Sequence, residues 1–331
     1  MRILVAGGCG FIGSHFVKRL VAGDDEVVVL DKLTYSGNLD NLKGVEHEFV
    51  HGDICDRMAV RGAADGCEAI VNFAAETHVD RSLLEAADFI RTDVFGTQVL
   101  LEWARESGGR LVQVSTDEVY GDVSAGRRAR EEDPLLPSSP YSASKAGGDL
   151  LVLAYGRSFG INASITRGAN TYGPFQHPEK LVPLFATNAL DGEPLPVYGD
   201  GRQRRAWLHV QDHCAGVELV LREGEPGGVY NVGGEERENM EVTERIIELT
   251  GADPALVRHV EDRPGHDRRY DVDSTRIQEL GWKPERAFDE GLAETVAWYR
   301  DRRDWWEPIK AGEFRRYYDT QYGTRLEKAP G

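Results

Sequence analysis

The chain has 331 residues, 40% of them hydrophobic, with 39 Lys and Arg against 56 Asp and Glu. That apolar content suffices for a buried core, and the length suits two domains or one large one. A formal net charge of −17 offers no positive field to nucleic acid or an anionic membrane. No apolar run reaches the ~18 residues of a membrane-spanning helix, and the N-terminus lacks the apolar length and cleavage signal of a signal peptide. Cys9, Cys55, Cys67 and Cys214 show no metal or disulfide spacing. Free thiols in a reducing cytoplasm are therefore expected.

Residues 2–6 read as a buried strand and 11–22 as a helix. Glu26 to Leu30 (EVVVL) is a second strand, and Phe49-Val50 and Ala69 to Phe73 are two more. A long helical stretch covers roughly 88–107. Arg110 to Ser115 is a strand, Tyr141 to Phe159 a helix, and Ile161 to Thr166 a strand. Apolar strands alternating with helices over about 170 residues predict an α/β fold, a parallel sheet covered on both faces. Ser124 to Pro140 is polar and Pro-rich, and reads as a surface loop. After residue 170 prolines crowd the chain and the rhythm is lost, apart from helices near 179–191, 210–222, 241–250 and 290–303. A smaller substrate domain follows, with Trp207 to Val210 and Val229 to Val232 able to return to the large sheet. The tail after Trp306 carries weak signals.

Three motifs carry chemistry. Gly7, Gly8, Gly10 and Gly13 lie between the first strand and the first helix and satisfy GxGxxG. Glycines there let the backbone approach a pyrophosphate at a helix N-terminus. Asp31 ends the second strand; an acid there bonds a ribose 2′-hydroxyl and repels a 2′-phosphate, which favours NAD over NADP. Tyr141 and Lys145 stand four apart on one helix face, where a cation favours the phenolate of a tyrosine base. Ser115-Thr116-Asp117-Glu118 closes a parallel strand at the end that faces a ligand crevice. Two adjacent carboxyl groups split their pKa values, which suits a base and an acid working together.

The chain resembles the extended short-chain dehydrogenase/reductase superfamily, and within it the dTDP-glucose 4,6-dehydratases. The resemblance runs nearly end to end through GGCGFIG (7–13), DKLTYSGN (31–38), AAETHVDRS (74–82), STDEVYGD (115–122), SPYSASKA (139–146), YGPFQHPEKLVPL (172–184), YGDGRQRRAWLHVQDH (198–213), YNVGG (230–234) and DRPGHDRRYDVD (262–273). It implies a Rossmann-type doubly wound sheet in residues 1–172, with 206–232 returning to it. A smaller mixed α/β domain, 173–205 and 233–331, takes the nucleotide sugar.

For NAD the resemblance implies contacts from Gly7, Gly10, Phe11, Ile12 and Gly13, then from Asp31, Lys32, Leu33, Thr34 and Gly37. Asp53, Ile54, Phe73, Ala74, Ala75, Thr77, Thr92, Ser115, Tyr141 and Lys145 complete that set. Catalysis falls to Thr116, Asp117, Glu118, Tyr141 and Lys145. The substrate, dTDP-glucose, is assigned Thr77, His78, Thr116, Asp117, Glu118, Asn170, Glu179, Lys180, Leu181, Pro196, Val197, Tyr198, Arg205, Asn231, Arg263 and His266. No metal site is implied. A homodimer through the helices near 88–107 and 141–159 is.

In the implied reaction Tyr141 takes the proton of the sugar 4-hydroxyl, Glu118 takes the proton of carbon 5, and Asp117 protonates the departing 6-hydroxyl. The alternatives are another nucleotide-sugar dehydratase or epimerase of the superfamily, or a non-catalytic NAD sensor. Asp117-Glu118 argues against an epimerase. Some positions depart from the family's usual residues: Thr77 for serine, Asp93 for asparagine, Ala169 and Thr171 for serine and asparagine, and Ala206 for aspartate. Loss of that aspartate would leave Arg205 less fixed, and Thr171 weakens an amide contact near the nicotinamide. The remaining histidines are expected to pack or face solvent. In Asp200–Val210 three arginines meet one acid, and in Arg258–Tyr270 four meet three. Cations are thus concentrated locally in an acidic chain.

Overall fold

A computed structural model describes residues 1–329. Seven strands form one parallel sheet: β1 (Arg2–Ala6), β2 (Glu26–Asp31), β3 (Glu48–His51), β4 (Ala69–Asn72), β5 (Arg110–Thr116), β6 (Ala163–Gly168) and β10 (Val229–Val232). The spatial order is β10-β6-β5-β4-β1-β2-β3, so the strand order reverses beside β1. The last strand of the chain's first half sits two residues later than Ile161–Thr166. The separate pieces are β7 (Asn170–Tyr172), β8 (Leu195–Tyr198), β9 (Arg204–His209), β11 (Glu235–Glu238) and β12 (Val257–Val260).

Both faces of the large sheet are buried, which explains its unbroken apolar strands. Ile3, Val5, Val112 and Val114 pack against Phe16 and Leu20 of helix Phe11–Ala22 and Val217 and Val220 of helix Val210–Glu223. Leu4, Ala6, Ile70 and Leu111 face the opposite way, onto helices Thr97–Ser107 and Pro140–Phe159. A third cluster around Phe185, Trp207, Ile246, Phe288 and Trp306 belongs to the other layer.

The chain changes layers at one residue. β6 ends at Gly168, and after Ala169 the next strand, β7, pairs with β9 in a three-stranded sheet with β11. Trp207 therefore lies in that small sheet and does not return to the large one; Val229–Val232 does return, beside β6. The long helical stretch is interrupted by a π-helical turn, Ile90–Gly96, packed next to helix Pro140–Phe159. The tail is helical too, through Arg303–Lys310, Glu313–Tyr318 and Thr324–Glu327.

A buried ion pair fastens β6 to the helix Pro140–Phe159: Arg167 Nε donates to Asp149 Oδ2 at 2.8 Å. Arg167 also donates to the Tyr120 hydroxyl at 2.6 Å, and Tyr120 donates to Asn231 Oδ1 at 2.8 Å. Removing one partner strands the other charge in the core. Asp149→Ala should cost about 3–5 kcal/mol in a urea unfolding titration.

Candidate active site

The cofactor loop is shaped by close approach. Gly7 has φ +73°, and a Cβ there would lie 2.5 Å from the Ala74 amide nitrogen; one on Gly13 would lie 2.2 Å from the Gly7 carbonyl oxygen. Helix Phe11–Ala22 begins at Gly10 with no side-chain cap and no acid in its first turn. Its free N–H groups are left for an anion. Asp31 stands at the far end of the same cavity, held by the amides of Cys9 (2.9 Å) and Leu33 (2.8 Å). An open helix end beside a fixed acid fits a dinucleotide with an unmodified adenosine ribose.

Of the residues expected to hold that dinucleotide, all but one line this cavity. The exception is Leu33. Its backbone takes φ +53° to present its amide to Asp31, and its side chain packs into the sheet core. Leu33 thus serves the site through its amide, which holds Asp31. The cavity also takes walls that sequence reasoning missed: Glu76, Gln176, His177 and His213. The two histidines were expected to pack or face solvent. His213 Nδ1 lies 2.7 Å from Thr171 Oγ1, and Thr171 donates to the Ala169 carbonyl, so Thr171 is committed within the protein.

The residues expected to act in catalysis meet at the end of β5. Thr116 caps the short turn Asp117–Tyr120, accepting from the Glu118 amide at 3.3 Å. Helix Pro140–Phe159 starts on a Ser139–Ser142 capping box with Pro140 at its first turn, which fixes Tyr141 at the mouth of the crevice. Lys145, one turn on, donates to the Val114 carbonyl at 2.8 Å. Ser144 donates to Asp93 Oδ2 at 2.6 Å, so Asp93 is part of this helix junction. Burial pushes Asp93 up to about 6, against the pull of Lys145.

Burial dominates the electrostatics. It raises Asp117 to about 8, helped by the neighbouring Glu118, and Asp117 Oδ2 is buried without a partner. Burial also raises Glu118, while Arg263, Arg205 and Lys180 pull it back. Tyr141 is pushed well above an ordinary phenol by burial, then by Glu118 and Asp93; a hydrogen bond with Thr116 opposes this. At neutral pH Asp117 keeps its proton and can donate it.

A second cavity opens beyond the first, and Glu118, Asn170, Glu179 and Lys180 line both. His78, Leu181, Pro196, Val197, Tyr198, Arg205, Arg263 and His266 line it as expected from their motifs, whereas Thr77, Thr116 and Asp117 line the dinucleotide cavity. Asn231 lines neither. It is fully buried: its side chain donates to Ala129 and Asp273 and accepts from Tyr120, so it is a core residue and not a substrate contact. Asn239, at the start of helix Asn239–Thr250, lines the cavity instead, with Oδ1 unpartnered. Asp80, Tyr270 and Tyr322 were also missed; Tyr322 comes from the tail.

Arg205 is not loosened by Ala206. Its guanidinium donates to the carbonyls of Arg204 (2.8 Å) and Asp267 (2.9 Å) and lies 4.2 Å from the Tyr270 ring centroid. Carbonyls and a π-face replace an acid as its anchor.

The model of the GDP-mannose 4,6 dehydratase family matches residues 4–295. A dTDP-glucose 4,6-dehydratase of Streptomyces niveus is 54% identical over 324 residues, covering 94% of this chain and 96% of that one. The chain belongs to the dTDP-glucose 4,6-dehydratase family. A solved member, DesIV of Streptomyces venezuelae with NAD bound, superposes with a TM-score of 0.91 at 53% identity, over 94% of this chain and 100% of that one. A UDP-glucose 4-epimerase of Thermus thermophilus, in complex with NAD, reaches 0.86 at 35% identity over 91% and 100%.

The glycine cradle leads to a test. Gly13→Ala sets a Cβ against the Gly7 carbonyl, which no side-chain rotation can relieve. The variant should purify without bound NAD, measured as dinucleotide released on denaturation, while keeping its far-UV circular dichroism.

Proposed function

We propose that the chain is an NAD-dependent dTDP-glucose 4,6-dehydratase. One observation carries the reading: a buried acid–base pair, Asp117 and Glu118, stands beside Tyr141 and Lys145 where a dinucleotide cavity meets a cation-lined one. An epimerase needs only to oxidise and reduce at carbon 4; it has no use for a protonated carboxyl next to a base. A non-catalytic sensor has no use for either.

The residues divide the work by environment. Tyr141 takes the 4-hydroxyl proton, with Thr116 orienting the phenol and Lys145 holding positive charge nearby. Bound NAD accepts hydride from carbon 4, returns it to carbon 6, and lends a positive ring that favours the Tyr141 phenolate. The 4-keto group acidifies carbon 5, and Glu118 removes that proton. Asp117 protonates the departing 6-hydroxyl so that it leaves as water, and Glu118 returns its proton to carbon 5 as hydride reaches carbon 6. Lys180, Arg205 and Arg263 neutralise the pyrophosphate. The product is dTDP-4-keto-6-deoxy-glucose. The first assay is incubation with dTDP-glucose, and with UDP-glucose for comparison, followed by detection of the 4-keto-6-deoxy product.

The pH profile of the rate follows from the pair. Activity requires protonated Asp117, so it declines as pH rises through about 8. It also requires ionised Glu118, so its acid limb lies above the ordinary carboxylate range. In Asp117→Asn dehydration should slow by roughly 10²- to 10⁴-fold. Rapid-quench analysis should then find a 4-keto sugar that retains its 6-hydroxyl.

We also take residues 1–172, with 206–232, as the dinucleotide part and the rest as mainly the nucleotide-sugar part; Ala206 and Leu208 pack into the core of the large sheet, whereas Phe185, Ile246 and Phe288 form a separate one, which supports this. Four unpaired cysteines support a cytoplasmic location. A homodimer is supported by large apolar side chains left outside on and beside the two long helices: Leu84 is 63% exposed, Ile90 57%, Phe95 50% and Leu150 56%. Exposed apolar side chains on paired helices are suited to covering by a second copy. Light scattering should give a dimer for the wild type and a monomer for Ile90→Lys/Leu150→Lys.

A further inference from the structure

Asp80 lies at the nucleotide end of the second cavity, and no step above uses it. It is 4% exposed, and both of its oxygens are taken. Oδ1 accepts from Arg263 Nη1 at 2.8 Å, and Oδ2 accepts from the Tyr198 hydroxyl at 2.8 Å. Arg263 and Tyr198 reach the cavity from two different segments, the loop after β12 and the end of β8. One carboxylate therefore fixes the distance between them.

The Tyr198 hydroxyl is saturated. It gives its one proton to Asp80 and accepts from Gln321 Nε2 at 2.6 Å and Arg325 Nη1 at 3.1 Å. Nothing remains for a ligand, so what Tyr198 offers the cavity is its ring. Arg263 is different. Asp80 engages Nη1, while Nε is buried without a partner, so the guanidinium keeps donors for an anion. The other acid whose field Arg263 feels is Glu118, the base of the proposed reaction.

We propose that Asp80 is a positioning residue for the nucleotide: it presents the Tyr198 ring and the Arg263 guanidinium to the nucleoside diphosphate as one preformed unit. This rests on the dehydratase reading. Preformed recognition groups cost no ordering on binding, and displacing them loses affinity without touching the reacting atoms.

The test uses Asp80→Asn as purified with its NAD. KM for dTDP-glucose and the inhibition constant of dTDP should rise together by ~10- to 100-fold. The turnover number should move by less than about threefold, the signature of binding shared by ground and transition states. Bound NAD and the melting temperature should match the wild type. Tyr198→Phe keeps the ring and removes its anchoring, so it should raise KM less, and the double variant should rise by less than the product of the two. If Asp80→Asn does not fold, Tyr198→Phe and Arg325→Ala carry the test by the same split. An unchanged KM, additive effects, or a fall in turnover as large as that in kcat/KM overturns the proposal. A wild type that binds dTDP but leaves dTDP-glucose unchanged overturns the dehydratase reading instead. Calorimetry with dTDP then still decides Asp80, because an unchanged Kd in Asp80→Asn overturns its role.

Discussion

Two adjacent carboxyl groups buried in one crevice are a constraint that the rest of the molecule answers. Among the described residues no cation touches Asp117 or Glu118 directly, and burial penalises the charge on both. Asp117 keeps its proton. Glu118 relies on Lys180, Arg205 and Arg263, all of which come from the chain beyond Tyr172. The parallel sheet can place the pair, but it cannot ionise one member alone. The second layer is therefore part of the site's electrostatics as well as its walls, and the chain's departure from the sheet at Ala169 is what brings the two together.

The cations share a manner of anchoring. Lys145 is held by the Val114 carbonyl, Lys180 by the Thr77 carbonyl, and Arg205 by those of Arg204 and Asp267. A carbonyl fixes a cation without cancelling its charge. A chain of net charge −17 can in this way keep uncompensated positive charge in one cleft for an anionic ligand. Arg263, paired with Asp80, is the one member with an acid as its anchor.

The parallel sheet was legible in the sequence because strands buried on both faces read as continuous apolar runs, as in Arg2–Ala6 and Glu26–Asp31. The glycine loop, the Tyr141–Lys145 spacing and the Asp117-Glu118 pair were legible because each is local: one turn or one helix face defines it. What failed depended on long-range placement. Trp207 has the pattern of a sheet strand, and only its pairing with Asn170 shows which sheet it joins. Asn231 and Asn239 are both plausible polar contacts; the network through Tyr120 and Arg167 turns one inward. The tail has no motif, yet Tyr317 stacks on Arg81 and Tyr322 walls the cavity. Leu33 holds Asp31 through its backbone amide, a contribution that its residue type does not signal.

The wall shared by the two cavities has a consequence for economy in the cell. Glu118, Asn170, Glu179 and Lys180 line both, so the two cavities adjoin at these residues and a sugar in the outer one lies against a dinucleotide in the inner one. A reaction that hands back the hydride it borrows leaves its dinucleotide in the oxidation state in which it began. Its equilibrium is therefore independent of the ratio of oxidised to reduced nicotinamide outside, which paces ordinary dehydrogenases.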